Sequence, residues 1–535
     1  MSPHYIRPIP SLSLVQVELD PEQGKLTSGL SIPRGALLES RPVRGVPCRF
    51  RTCYDTTLWP ITVQDARWVA PHQLKPKVAA ADAVGALRVV LSCLPDMTFK
   101  GLELETLRFY LNGEDNLVST LYELLCNSCQ SVLVRPAGGE SAAGPATWTS
   151  GAIRPVGFQE DETLLPVPRR SVAGYQLLQD YFAFPKKYFF IDLAGFHTLP
   201  AEFGSSVEVV FLISSFERPD RRHMLEADVS TDTVRLGCTP IVNLFPQTSE
   251  PIRITQRKHE YPVIADARRR LETGIFSVDE VVAVTPGAGA PVRFEPFYSF
   301  RHSADQPGGQ RFWHARRRRS EWREDEGSDV LLSFADLSGR PVHPDEDAAT
   351  VRLTCHNGEL PGQLPFGAPD GDFKLESGEA SIRRIVTLVK PTALVEPPLG
   401  KPQLWRLISQ MSLNYLSLVD GGPEPLQELL RVYNFGKSAA AEKEIDGILS
   451  VGSSPVYSRV PSEHGLSFAR GRRVDIEFDE DRYTGGGVYL FASVLEHFLG
   501  LYASVNSFTL LAARTNQREA PLGEWAPRAG WKPLI

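Results

Sequence analysis

Three consecutive acids, Asp479, Glu480 and Asp481, are the residues of this chain best suited by type to catalysis, because paired carboxylates divide the roles of general acid and general base. They close an alternating strand pattern, a place where exposed charge is common, and this favours a solvated surface over a catalytic pair. Cys126 and Cys129 make one C-x2-C pair, half of a structural zinc site, and no nearby His or Cys supplies the other half. His259 and Glu260 adjoin without the H-E-x-x-H spacing, and neighbours in a strand point to opposite faces. Gly436, Lys437 and Ser438 resemble the end of a phosphate loop, but the glycine needed five positions before Gly436 is Arg431 and no strand precedes it. Gly485, Gly486 and Gly487 open a helix whose first N–H groups suit an anion. The acids just before them would repel a phosphate, and close packing of the helix start accounts for the glycines. Arg316 to Arg319, with Trp313 and Trp322, have the parts of a nucleic-acid grip, yet the acidic stretch Ser320 to Asp329 cancels much of that field. A surface loop or a salt-bridged contact to a protein is the better reading of that run. No catalytic residue, cofactor-binding residue or metal ligand is assigned.

The elements around these residues describe a large, mixed chain. At 535 residues it exceeds one core, and about two to four domains are expected. Hydrophobic residues at 42% and charged residues at 23% are ordinary for a folded globular protein. A net charge of -7 gives no electrostatic case for nucleic acid or an anionic membrane. The seven cysteines are odd in number and scattered in apolar text, which suits reduced thiols. No run approaches the roughly 18 apolar residues of a membrane span, and residues 1–40 carry no secretory pattern, so a cytoplasmic protein is expected.

Near the C-terminus, Val474, Ile476 and Phe478 alternate with Asp475, Glu477 and Asp479, the period of a strand with one buried face. Val488 to Ala503 then reads as a helix whose polar or small breaks, Ser493, Glu496, His497 and Gly500, share one narrow stripe. Such a helix is buried nearly all round, and His497 is expected to pack as a hydrogen-bonded core residue. A second strand, Ser507 to Ala513, completes a strand, helix, strand unit.

Earlier, short strands separated by Pro and Gly (Ser11 to Leu19, Leu30 to Leu38, Cys48 to Thr57, Trp59 to Val69, Leu87 to Leu94) predict a sandwich or barrel-like domain. A helix near Leu117 to Asn127 and a strand at Ser131 to Arg135 follow, and Gly138 to Gly151 reads as a loop or connection. Lys390 to Pro402 reads as a linker, Pro402 to Leu418 and Leu426 to Tyr433 as helices, and Ile445 to Leu449 and Pro455 to Arg459 as short strands. The expected organisation is α+β: a β-rich domain over 1–150, a central α+β domain over 151–395 and an α/β domain over 396–535.

Four strings stand out in order: SVAGYQLLQDYFAFPKKYFFIDLAGF from Ser171, the VNLF and EPIR pair near 242 and 250, PFYSFRH from Pro296, and GGGVYLFASVLEHFLGLYASVNSFTLL from Gly485. With these landmarks the chain, from about Pro3 to Ile535, resembles the TssF (VasA/ImpG-like) family of type VI secretion baseplate wedge subunits. Members carry a further helical segment before the point where this chain begins, and the resemblance implies a chain starting without it. It also implies a structural, non-enzymatic protein without cofactors, with a fold like contractile-phage baseplate wedge proteins. Two copies would join one TssG-like subunit, and the wedge would contact TssK-like adaptor and TssE-like sheath-initiator subunits in a machine held at the inner membrane. Two other classes stay open on the residues alone: a β-rich carbohydrate-active hydrolase using the Asp479 to Asp481 cluster, and a glycan- or peptide-binding module.

Overall fold

In the computed structural model of this protein, the described residues are 6–22, 26–76, 82–137, 144–166, 173–216, 219–255, 257–285, 288–297, 312–320, 327–336, 347–399, 405–406, 408–409, 418–462, 465–483, 486–501, 503 and 507–529. Alternation produces strands where the sequence carries it. Val46–Thr52 buries Val46, Cys48, Phe50 and Thr52 and turns the residues between them toward solvent. It is one stave of a closed barrel whose strands run Leu12–Leu19, Cys238–Val242, Val46–Thr52, Leu37–Val43, Phe373–Leu375 and Ile382–Val389 around the circumference. Leu12–Leu19 closes the ring by pairing with Cys238–Val242 on one side and Ile382–Val389 on the other. Closure removes two sheet edges, and Phe50 meets Phe373 edge to face inside at 5.2 Å.

Beside the barrel, Ala146–Thr149, Cys129–Pro136, Ser206–Ile213, Gly85–Cys93 and Ile61–Val69 form a five-stranded sheet. Ladders in both structures therefore cross residue 150. The stretch expected as a loop around that residue contains a strand, because Ala146–Thr149 pairs with Ser131–Val134; residues 138–143 lie outside the described set. A four-stranded sheet adds Ile153–Pro155, Phe190–Ala194, Thr106–Leu111 and Val234–Arg235. An eight-stranded sheet built from 245–356 has its own core, including Val281, Phe294, Leu332, Phe334 and Val351.

The linker reading of Lys390 to Pro402 changes in part. Val395 and Ile9 exchange backbone hydrogen bonds at 2.8 and 2.9 Å, and the Thr392 N–H donates to the Leu12 carbonyl at 2.9 Å. Its prolines keep the segment extended, so it lies along the N-terminal chain. The helix expected over Pro402 to Leu418 falls mostly outside the described residues.

The C-terminal unit forms as the alternation and helical stripe require. Gly465–Phe478 buries Val474, Ile476 and Phe478, the helix Val488–Gly500 follows, and Phe508–Thr515 returns parallel to the first strand. Two local expectations are corrected. Ile445 belongs to a helix, Ala439–Asp446, that apolar spacing did not show because it is short and alanine-rich. Pro455 to Arg459 is no separate strand but the middle of Ile448–Ser462, which tolerates Pro455 because it is the edge of its sheet. Together the modules make a β-rich α+β architecture.

Candidate functional site

The helix Val488–Gly500 is the element on which the large core converges. Phe498, fully buried, lies 5.7 Å from Tyr175, and Phe491 lies 5.2 Å from Tyr181, both on the helix Ala173–Ala183. Tyr489 faces Tyr122 of a third helix, Asp115–Asn127, at 6.2 Å. The aromatic string from Ser171 is thus interior: Tyr175, Tyr181, Phe184, Tyr188, Phe189 and Phe190 are all buried. The C-terminal unit docks on the middle of the chain through these rings.

The polar stripe of the helix is satisfied. Glu496 accepts from Arg528 Nε at 2.6 Å and Nη2 at 2.8 Å, while His497 stacks on Phe158 at 4.1 Å. His497 Nδ1 donates to the Ser493 carbonyl at 2.9 Å, and its Nε2 accepts from Arg528 at 3.0 Å. Burial works to raise the Glu496 carboxyl, but hydrogen bonds from His497 and Arg528 outweigh it and hold the group low.

The glycines before the helix serve close approach. A Cβ on Gly487, whose φ is +76°, would stand 2.7 Å from Ser119 Cβ, and one on Gly486 would stand 3.0 Å from the Tyr181 hydroxyl. Gly485 lies outside the described residues. Ser438 in the phosphate-loop-like triplet is a helix cap that accepts from the Ala441 N–H.

Two of the three acids that best suited catalysis, Asp479 and Glu480, are spent on ion pairs. Glu480 is 4% exposed, accepts from Arg518 at 2.6 and 2.7 Å, and meets Arg221 at 3.2 Å. Arg518 also joins Glu123, which ties the cluster to the helix Asp115–Asn127. Asp479 accepts from Gln517 at 2.7 Å and Arg482 at 3.0 Å, and these bonds, Gln517 first, hold its carboxyl below the usual range. Asp479 and Glu480 are each turned to a cation or amide, and Asp481 is exposed at the surface.

Cys126 and Cys129 fall at the end of a helix and the start of a strand, and burial pushes both thiols up, Cys129 to about 12. Among the described residues no three His, Cys, Asp or Glu side chains come together as a metal set. His259 and Glu260 are both exposed. Arg316 to Arg319 lie on the strand Phe312–Arg319, so their side chains alternate between faces. Arg317 donates to Ser328 Oγ at 2.8 Å and to the Phe276 carbonyl at 3.1 Å, and burial pushes it down to about 10. Trp313 is buried in the core of its sheet and cannot stack on a base, and Trp322 lies outside the described residues.

One site escaped sequence reasoning. Lys187, fully buried, donates to Asp180 at 2.6 Å and to the Glu162 carbonyl at 2.9 Å. Asp180 also accepts from Gln176 at 2.8 Å and from the Leu164 N–H at 3.1 Å. The only sequence signal is two charges inside otherwise apolar, aromatic text. What is assembled here is a rigid, interlocked core, with surface left for neighbours.

The model of the type VI secretion system TssF family matches residues 1–532. This chain belongs to the TssF family. It is 34% identical over 551 residues to the type VI secretion system component TssF1 of Pseudomonas aeruginosa, an alignment covering 100% of this chain and 87% of that relative. It is similar to a chain in the cryo-electron microscopy structure of a type VI secretion TssK-TssF-TssG baseplate subcomplex, with a TM-score of 0.76 at 26% identity, covering 99% of this chain and 93% of that one. A chain of a type VI secretion baseplate complex shares the fold, with a TM-score of 0.61 at 22% identity over 99% of this TssF-family chain and 86% of that one. Among the described residues, no helix is long and apolar enough to cross a membrane.

Proposed function

We propose that this TssF-family chain is a structural, non-enzymatic subunit of a type VI secretion baseplate, bound to TssG- and TssK-like subunits. The observation that carries the proposal is likeness over 99% of the chain, at a TM-score of 0.76, to a chain from a TssK-TssF-TssG subcomplex. The ion-paired state of Asp479 and Glu480 supports a non-catalytic role. The finer reading is that two copies join one TssG-like subunit, that the wedge also meets a TssE-like sheath initiator, and that the assembled machine holds it on the cytoplasmic side of the inner membrane. An interlocked core suits a part that transmits movement between neighbours without deforming.

Native mass spectrometry of the chain co-expressed with the TssG- and TssK-like proteins of the same gene neighbourhood tests this. A complex containing two copies of this chain per TssG-like subunit is expected. A chain that stays alone in the presence of both partners would overturn the proposal, and a one-to-one complex would overturn the copy number only.

A further inference from the structure

The strands Ile448–Ser462 and Gly465–Phe478 pair along their whole length, whereas Phe508–Thr515 meets the second strand only from Arg472 to Phe478. Outward of Arg472, among the described residues, the sheet narrows to a two-stranded arm. A ribbon of two strands is marginal in water by itself. Register sets Ser453 opposite Val474, Pro455 opposite Arg472 and Tyr457 opposite Arg470, all on one face, with Phe468 two residues beyond Arg470 on that face. At the base this face buries Val474, Ile476 and Phe478. Further out it presents Tyr457, 68% exposed, and Phe468, 69% exposed, with Arg470 exposed beside them. Among the described residues, the core-facing side of the sheet therefore continues into side chains that are largely exposed.

The rung between these two regimes shows what the face accepts. Arg472 donates to the Asp420 carboxylate at 3.0 Å and to Ser453 Oγ at 3.0 Å, and Ser453 donates to the same carboxylate. A carboxylate thus caps the Arg472 rung. The Arg470 rung lies two residues further along, roughly 7 Å. Tyrosine and arginine are the side chains that most often dominate binding energy at protein interfaces.

We propose that the outer arm is a docking surface for a partner protein that sets a carboxylate against Arg470 and apolar side chains against Tyr457 and Phe468, repeating one rung out what Asp420 does at Arg472. A protein fits better than a nucleic acid, because the neighbouring arginine is already met by a carboxylate and the chain's net charge of -7 opposes a polyanion. The choice of partner proteins for the test rests on the baseplate reading.

The test uses the full chain, alone and co-expressed with its TssG- and TssK-like neighbours, followed by hydrogen exchange and native mass spectrometry. In the assembly, amides of 455–458 and 468–471 should exchange about tenfold or more slowly than in the isolated chain. Tyr457→Ser with Phe468→Ser, and Arg470→Glu separately, should each weaken assembly about tenfold or more, while Arg470→Lys should retain most of it. These side chains are exposed, so the isolated variants should keep the wild-type melting temperature, which separates lost docking from lost folding. A wild-type assembly with an unprotected arm, or one formed equally well by both variants, would overturn the docking proposal and leave the baseplate reading standing. No assembly with wild type would remove both. A dimer of the isolated chain, or binding of a single-stranded oligonucleotide, that the variants abolish would assign the arm elsewhere and overturn the proposal as well.

Discussion

Replacing Lys187 by methionine should destabilise the chain by about 3 to 5 kcal/mol. Lys187 and Asp180 are 0% and 1% exposed, and their charged atoms are 2.6 Å apart. Methionine nearly conserves the side-chain volume, so little packing is lost; the loss is the counter-charge. Asp180 would keep the Gln176 donor at 2.8 Å and the Leu164 N–H at 3.1 Å, two neutral bonds to a charge that water does not reach. The Glu162 carbonyl would lose the donor that now lies at 2.9 Å, a cost of about 1 to 3 kcal/mol within that range. Adding Asp180→Asn removes the stranded charge while its side-chain oxygen still accepts from Leu164, so the double variant should recover about 2 kcal/mol. Urea denaturation followed by tryptophan fluorescence and circular dichroism, with slopes compared between variants, reads the difference. A loss below about 1 kcal/mol in the single variant, or a double variant no more stable than the single, would show that the pair is not sequestered and that the reasoning is wrong.

Three further outcomes follow from the same core. Phe498→Ala should cost about 3 to 5 kcal/mol as a truncation of a fully buried ring, and a loss under roughly 1 by denaturation would place the helix at the surface. Gly487→Ala should cost about 1 to 3 kcal/mol, because alanine resists a φ of +76° and its Cβ would meet Ser119 at 2.7 Å; partial rescue by Ser119→Gly is expected, and a neutral Gly487→Ala would refute the close approach. Burial pushes the Glu444 carboxyl up to about 7, against hydrogen bonds from Tyr181 and the Gly486 N–H. Because the folded value lies above the unfolded one, its contribution is full at acid pH and declines as pH rises through about 7, on the order of 3 kcal/mol. Melting temperatures from pH 5 to 8 should fall more steeply for wild type than for Glu444→Gln, and parallel curves would contradict the assignment.

Some of this was legible residue by residue. The alternation through Val474, Ile476 and Phe478 and the apolar circumference of Val488 to Gly500 determine a strand and a buried helix, because side-chain direction within one element depends only on local period. The failed motif spacings were legible for the same reason, and the ordered aromatic landmarks were enough to suggest the family that the whole-chain match establishes. Other features depended on partners far away in the chain. Leu14 pairs with Val389 to help close the barrel, Glu480 is neutralised by Arg518 and Arg221, and Asn127 reaches the Leu522 carbonyl at 2.8 Å. Nothing in the text around Glu480 distinguishes an exposed acid from one 4% exposed between two guanidinium groups. Lys187 is one of two adjacent lysines, and only the fold decides that Lys186 meets solvent-facing Asp115 while Lys187 turns inward. Period fixes which way a side chain points within its own element; what waits there is set by chain closure over hundreds of residues, and that belongs to the tertiary structure.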